Sequence, residues 1–343
     1  MAVYTHLGAE ELARLIGEYD VGDLVSAKGI AEGVSNSNWL IETAGTGGGS
    51  GERGERGERG DGCESPGEDP RRFILTMYER RIDLADLPFF LGLLDHLSAR
   101  GCPVPRTIHD RSGAAFRMEG GKALALIEYL PGVSPARPTP AQAGAVGEAL
   151  AHMHIEGRDF PLTRANTMGF AATLRTLEAC GEEALGAIDP DLPAMIAPAR
   201  EAAALDTSGL PRANIHADLF PDNVLMLGEK VTGMIDFYFA CTDCLALDLA
   251  TTHAAWCFDA DTNAYDPARG EALLSAYQAV RPLEDAERRL FGPIAQGAAL
   301  RFVASRAEDW HATPGDALVT RKDPMEFARR WRFYADHGDD LVA

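Results

Sequence analysis

Residues 215–224, Ile215-His216-Ala217-Asp218-Leu219-Phe220-Pro221-Asp222-Asn223-Val224, place a histidine, two acids and an amide between apolar runs. The segments "VLML" and "VTGMID" follow, separated by Gly228-Glu229-Lys230. Their apolar, β-prone character predicts two strands of a hairpin. With Glu229 and Lys230 as the turn residues, Asn223 falls directly opposite Asp236, and opposed side chains on one face lie about 5 Å apart at Cβ. A bulge at Gly228 shifts the register by one and keeps the pair close. An amide oxygen and a carboxylate at that separation suit one hard cation, which takes oxygen ligands. Asp218, five residues earlier, can face the same spot as a base without being a ligand. Singly, each of these residues fits a turn or a cap. Jointly, on a hairpin, they fit a base beside a metal.

The chain has 343 residues, 46% of them hydrophobic, and a formal net charge of −20. That length suits two domains or one large two-lobed one. The acidity opposes contact with nucleic acid or an anionic membrane, and no basic patch offsets it. No apolar run approaches the roughly 18 residues of a membrane span, and the first residues lack a signal-peptide pattern, so the expected compartment is the cytoplasm. Six cysteines at positions 63, 102, 180, 241, 244 and 257 form no evident disulfide framework. The spacing Cys241-x2-Cys244 with His253-x3-Cys257 brings zinc to mind, but the apolar surroundings favour buried structural thiols. His152 and His154, two apart on one helix, face different ways and form no metal pair.

Working towards the N-terminus, Thr139-Pro140-Ala141-Gln142 carries the signature of a helix start with a capping box. "PGVSPARPTP" ahead of it marks a joint, with a hinge near 128–132. Before the joint, "VGDLVSAKGI", "VSNSNWLIET", "RRFILTMYE", "AAFRMEG" and "KALALIEYL" read as strands, and "LADLPFFLGLLDHLSARG" as a helix with a glycine stop. Residues of about 45–71, built from Gly, Glu and Arg, read as a disordered insertion at a hairpin tip; the Gly-Glu-Arg triplets are too few for a triple helix. The expected fold is α+β and bilobal: a small antiparallel β-sheet N-lobe over 1–130 and a larger, mainly helical C-lobe over 131–343.

His216-x-Asp218-x4-Asn223 followed by Ile235-Asp236-Phe237 resembles the catalytic loop and metal-binding segment of the protein-kinase-like fold, in its aminoglycoside and choline phosphotransferase branch. Asp236-Phe237-Tyr238 departs from the usual Asp-Phe-Gly. The strings "KGIAEGVSNSNWLIET", "FILTMYERR", "DLPFFLGLLDHL" and "RKDPMEF" extend the resemblance to kinase-like homoserine kinases over nearly the whole chain outside the insertion. The resemblance implies ATP and Mg²⁺ as cofactors, with the N-lobe binding nucleotide, and L-homoserine as acceptor on a route to threonine. Choline, an aminoglycoside or hydroxylysine remain alternative acceptors, and a silent nucleotide-binding module is the opposing class. It also implies that Asp218 is the base and that Asn223 and Asp236 hold the metal. Gly33, Ser35, Asn36 and Asn38 then lie in a phosphate-covering loop, and Glu128 and Leu130 meet adenine. Thr76 stands where many kinases carry a lysine, which leaves Lys28, Arg80 or Arg81 to supply the charge. Arg301, Arg306 and Trp310, at helical spacing, are candidates for the acceptor's carboxylate, although helix packing explains them equally well. His216 and Asp248 read as residues that hold the loop by hydrogen bonds.

Overall fold

The computed structural model describes residues 7–30, 36–44, 70–79, 83–312 and 321–342. Residues 45–69 of the expected insertion, with Gly33, Ser35, Arg80 and Arg81, lie outside them. The chain forms two compact units, Met1–Gly92 with Pro105–Tyr129, and Leu93–Val104 with Leu130–Ala343. The chain crosses into the second unit for good at Tyr129–Leu130, within the expected hinge. Leu93–Val104 groups with the second unit although it precedes that point.

The first unit is an antiparallel sheet carrying one helix, α1 (Ala9–Ile16). Its strands are β1 (Leu24–Ile30), β2 (Asn36–Thr43), β3 (Arg71–Tyr78), β4 (Thr107–Ile108), β5 (Arg117–Glu119) and β6 (Lys122–Glu128), in the order β1-β2-β3-β6-β4 with β5 also on β6. Alternation sets the faces: Trp39 and Ile41 of β2, Phe73, Leu75 and Met77 of β3, and Leu124 and Leu126 of β6 are buried together. Leu12, Leu15 and Ile16, spaced for one face of α1, join the same core. Full burial of each such side chain contributes roughly 1.5–3 kcal/mol. At the entry to β1, Gly22 takes φ +92°, and a Cβ there would come within 2.0 Å of the Ala44 carbonyl oxygen.

Helix α2 (Leu87–Ala99) leads into the second unit, which holds the remaining elements. Helix α3 (Pro140–Glu156) opens on the expected box: Thr139 accepts from the Gln142 amide and Gln142 from the Thr139 amide. Helices α4 (Phe170–Ile188) and α5 (Ile196–Ala203) follow, then strands β7 (Arg212–Ile215), β8 (Val224–Leu227), β9 (Lys230–Met234) and β10 (Cys241–Cys244). The chain ends in α6 (Leu245–Trp256), α7 (Pro267–Val280), α8 (Asp285–Ala312) and α9 (Met325–His337). All residues of α6 except Ala255 are buried, so this helix is the core on which the others pack. Strand β7 pairs with β10, and β8 with β9, as two small antiparallel ribbons.

The hairpin departs from the register expected of it. Val224 pairs with Met234 and Leu227 with Lys230, with a bulge between Leu225 and Met226, so the turn is Gly228-Glu229 rather than Glu229-Lys230. Glycine decides this: Gly228 takes φ +63°, the left-handed conformation a tight hairpin demands and glutamate resists. Asn223 then meets Ile235, whose amide donates to the Asn223 carbonyl at 2.9 Å, rather than Asp236.

Replacing Gly22 by alanine strains both its backbone and its contact with Ala44. We expect a loss of about 1–3 kcal/mol in unfolding free energy, measured by urea denaturation, with the slope unchanged.

Candidate active site

Strand β7 delivers the loop 216–223 and then stops, because Ala217 turns into the left-handed region at φ 64°. A non-glycine residue there needs outside support. Asp248, in the first turn of α6 and fully buried, provides it: its two carboxylate oxygens accept from the amides of His216 and Ala217, both at 2.7 Å. Asp248 Oδ2 also accepts from His154 Nε2 at 3.0 Å, while His154 Nδ1 meets the Tyr277 hydroxyl at 2.7 Å. Arg281 donates to that hydroxyl and pairs with the buried Glu287. Burial disfavours charge on Asp248, but the hydrogen bond from His154 and the loop amides more than offset it, holding the carboxyl below its usual range. Burial likewise lowers His154, which sits neutral as donor to Asp248.

His216 ties the loop to the segment after β9. Its Nδ1 accepts from the Asp218 amide at 3.2 Å, so Nε2 carries the proton and donates to the Ile235 carbonyl at 2.9 Å. Its ring lies 4.5 Å from that of Phe237. Burial lowers the His216 pKa, which suits a neutral clasp rather than a proton carrier. Asp236, between the two anchored residues Ile235 and Phe237, is left-handed at φ 66°; part of the residue reaches solvent, but its carboxyl is closely surrounded by protein. An aspartate tolerates this conformation better than most residues. Further along the loop, Trp256 Nε1 donates to the Leu219 carbonyl at 2.8 Å, and Phe220 packs on Phe302 and Phe327.

These anchors bring Asp218, Asn223 and Asp236 together. Asn223 Nδ2 donates to the Asp218 carbonyl at 2.8 Å and approaches its carboxylate at 3.4 Å, leaving the amide oxygen without a hydrogen bond among the described residues. Burial raises the Asp218 pKa, and Arg301, with Nη2 at 3.7 Å from the carboxylate, opposes the rise. Asp236 has no such cation: desolvation, then the charges of Asp218 and Asp222, push it up to about 7. A free amide oxygen beside a carboxylate starved of positive charge fits a divalent cation. No group of three His, Cys, Asp or Glu side chains converges as a metal cage among the described residues. A cation held by two protein oxygens and completed by phosphates needs none.

Of the three candidates on α8, only Arg301 touches the loop. It donates through Nη1 to the Ala217 carbonyl and lies between the rings of Phe239 and Phe302, at 5.4 and 4.7 Å. Arg306 instead pairs with Glu326 and donates to the Asp323 carbonyl, while Trp310 lies beneath Arg321. In the first unit, Thr76 donates to Asn38 across β2 and β3 at 2.9 Å, and Asn36 is buried with its side-chain oxygen unpartnered. Glu128 accepts from the Arg106 amide, and in the second unit Leu130 packs against Gly233. Lys28, on β1, is exposed. Sequence reading overlooked Lys122, which pairs with Glu79; no motif marks it. It also overlooked Tyr277, Arg281 and Glu287, which stand among other polar residues around α7 and the start of α8, with no local signal to single them out. Cys241, Cys244 and Cys257 are buried separately with thiols raised by desolvation, and His253 bonds to the Tyr334 hydroxyl, as structural residues do.

The model of the phosphotransferase enzyme family matches residues 26–283. A homoserine kinase of Gluconacetobacter diazotrophicus is 45% identical over 343 residues, covering 97% of either chain. One from Acidiphilium cryptum is 43% identical, covering 98% of either chain. Among solved structures, a spectinomycin phosphotransferase bound to ADP and spectinomycin aligns with TM-score 0.64 at 10% identity, over 98% of each chain. An amicoumacin kinase in complex with AMP-PNP, Ca²⁺ and Ami aligns with TM-score 0.63 at 14% identity, covering 96% of this chain and 94% of that one. These two share the fold.

Because Asp236 is held above its unfolded pKa, the native chain binds more protons than the unfolded one between about pH 4 and 7, and stability falls as pH rises through that window. Asp236→Asn should therefore raise the melting temperature of the metal-free protein at pH 8 and leave it unchanged near pH 4. Thermal melts across pH, with chelator present, check this.

Proposed function

This chain belongs to the phosphotransferase enzyme family, with the homoserine kinases as its full-length relatives, and we propose on that premise how its residues divide the work. The enzyme transfers the γ-phosphoryl group of ATP to the hydroxyl of L-homoserine, a step of threonine biosynthesis. The observation that carries this assignment is identity of 42–45% with homoserine kinases over nearly the entire chain. ATP and a divalent cation serve the reaction. We take the cation to be Mg²⁺ and the compartment to be the cytoplasm; among the described residues no helix is long and apolar enough to cross a membrane.

Phosphoryl transfer asks little covalent chemistry of the protein; it needs an in-line hydroxyl and neutralised phosphate oxygens. We assign Asp218 to the hydroxyl, which it orients and deprotonates. Asn223 through its amide oxygen and Asp236 through its carboxylate are the residues to hold Mg²⁺. A cation held there would neutralise charge on the phosphates and offset the Asp218 and Asp222 charges that, after desolvation, raise Asp236. Arg301 has one guanidinium nitrogen on the Ala217 carbonyl and another beside Asp218. We assign it the positioning of that base. Asn36, Asn38 and Thr76, with Gly33 and Ser35, are our candidates for the phosphates, and the backbone at Glu128 and Leu130 for adenine.

Asp218→Asn should lower kcat by at least about a hundredfold and leave ATP affinity nearly unchanged. A near-normal rate would remove Asp218 from this role. Acceptor identity is tested by phosphate transfer to homoserine, choline, ethanolamine and aminoglycosides. Transfer to homoserine with the highest kcat/KM is expected; ATP hydrolysis with no phosphorylated acceptor would overturn the assignment.

A further inference from the structure

The second unit contains a cavity of about 230 Å³ lined by Pro221 of the catalytic loop, Ala255 of α6, Asp259, Asp266, Arg269 and Arg330 among others. Ala255, the one residue of α6 that is not buried, faces it. The two arginines are only 6% exposed. Arg269 uses Nε on Asp266 and Nη1 on the Trp256 carbonyl. Among the described residues Arg330 makes no direct ion pair: Nε donates to the Asn263 side chain and Nη1 to the Ala254 carbonyl, both neutral, while the Glu326 carboxylate, paired with Arg306, acts on it only from a distance. Its guanidinium lies between the rings of Phe327 and Phe258, at 4.4 and 5.3 Å. Among the described residues Nη2 of neither arginine makes a hydrogen bond, and both residues line the cavity.

A buried guanidinium without a direct ion-pair partner is costly, and desolvation, only partly offset by the Glu326 charge, draws the Arg330 pKa down to about 10. A packed interior does not keep such a group beside empty space without a use for it. The two open guanidinium edges suit the flat, two-oxygen geometry of a carboxylate. Asp259 and Asp266 on the same wall offer an ammonium its partner. The volume holds roughly seven water molecules at about 30 Å³ each, the size of a small amino acid.

We propose that this cavity binds a small zwitterionic amino acid, its carboxylate held by Arg330 and Arg269. Two sources share that chemistry: the acceptor itself, seated with its carboxylate here, and a second amino acid that binds behind the loop. Either one acts on catalysis through Pro221 and through Phe327, which joins the Arg330 guanidinium to Phe220. The first source rests on the homoserine reading of the acceptor; the second does not.

The test uses L-2-aminobutyrate, which has no hydroxyl to phosphorylate, titrated calorimetrically into the intact enzyme. Saturable binding is expected, and none of propylamine, which lacks only the carboxylate. Arg330→Gln should weaken binding at least about tenfold. Ala255→Phe, which fills the cavity while leaving both arginines in place, should abolish it, with folding of each variant verified by thermal melting. Homoserine that displaces 2-aminobutyrate with a constant equal to its own KM identifies the acceptor as the occupant; binding that survives saturating homoserine identifies a second ligand. Absence of saturable binding to the wild-type enzyme, or equal binding by wild type and the folded Ala255→Phe variant, would overturn the proposal.

Discussion

The buried carboxylate of Asp248 is the constraint on which the site is built. A left-handed alanine after β7 is unfavourable by about 1–3 kcal/mol, and two adjacent amides pointing inward would otherwise be unsatisfied. One carboxylate accepting both resolves strain and desolvation together. It is kept ionised in the interior by a relay of contacts, from Glu287 through Arg281, Tyr277 and His154, that links α3, α6, α7 and α8 to the loop. The polar chain through the core thus converts helix packing into the position of Asp218.

From that anchor, the placement of the reactive groups follows by short links. His216 joins the loop to Ile235, and the Ile235 amide returns to Asn223, so the hairpin and the loop close a ring of hydrogen bonds around Asp218. The ring forces carboxylates together, and the cost is visible in Asp236, raised to about 7. The proposed cation accounts for the arrangement, since it would offset the repulsion between these acids. Arg301 treats the two acids unequally, beside Asp218 and not Asp236, in keeping with the different roles proposed for them.

Arginines on the helical side repeat the same logic with opposite sign. Where Arg281 is matched by Glu287, the pair is closed and structural. Where Arg330 hydrogen-bonds only to neutral groups, with Glu326 committed to Arg306, its open edge sits beside a cavity. Buried charge without its partner is a better guide to a ligand than the spacing of arginines on α8, where Arg306 turned out to serve the 323–326 segment.

Much of this was legible in the chain itself. The alternation of β2 and β3, the capping box at Thr139 and the Pro-Gly break after Leu130 are local signals, fixed by side-chain period and backbone preference, and each lies where the pattern puts it. The grouping of Asp218, Asn223 and Asp236 was also readable, since a short hairpin keeps its two ends close in any register. The register itself was not. The positive φ of Gly228 and the bulge at Leu225–Met226 moved Asp236 off the opposing position, and a left-handed backbone then carried it to the site. Nor was the support visible: Asp248, His154, Tyr277, Arg281 and Glu287 are scattered over more than a hundred residues, and only packing of the helices makes them neighbours. Sequence by itself determined the elements and the reactive residue types, because those depend on neighbours along the chain. Tertiary structure alone decided which charges are paired and which are left open, because desolvation and Coulomb energy depend on distance in space.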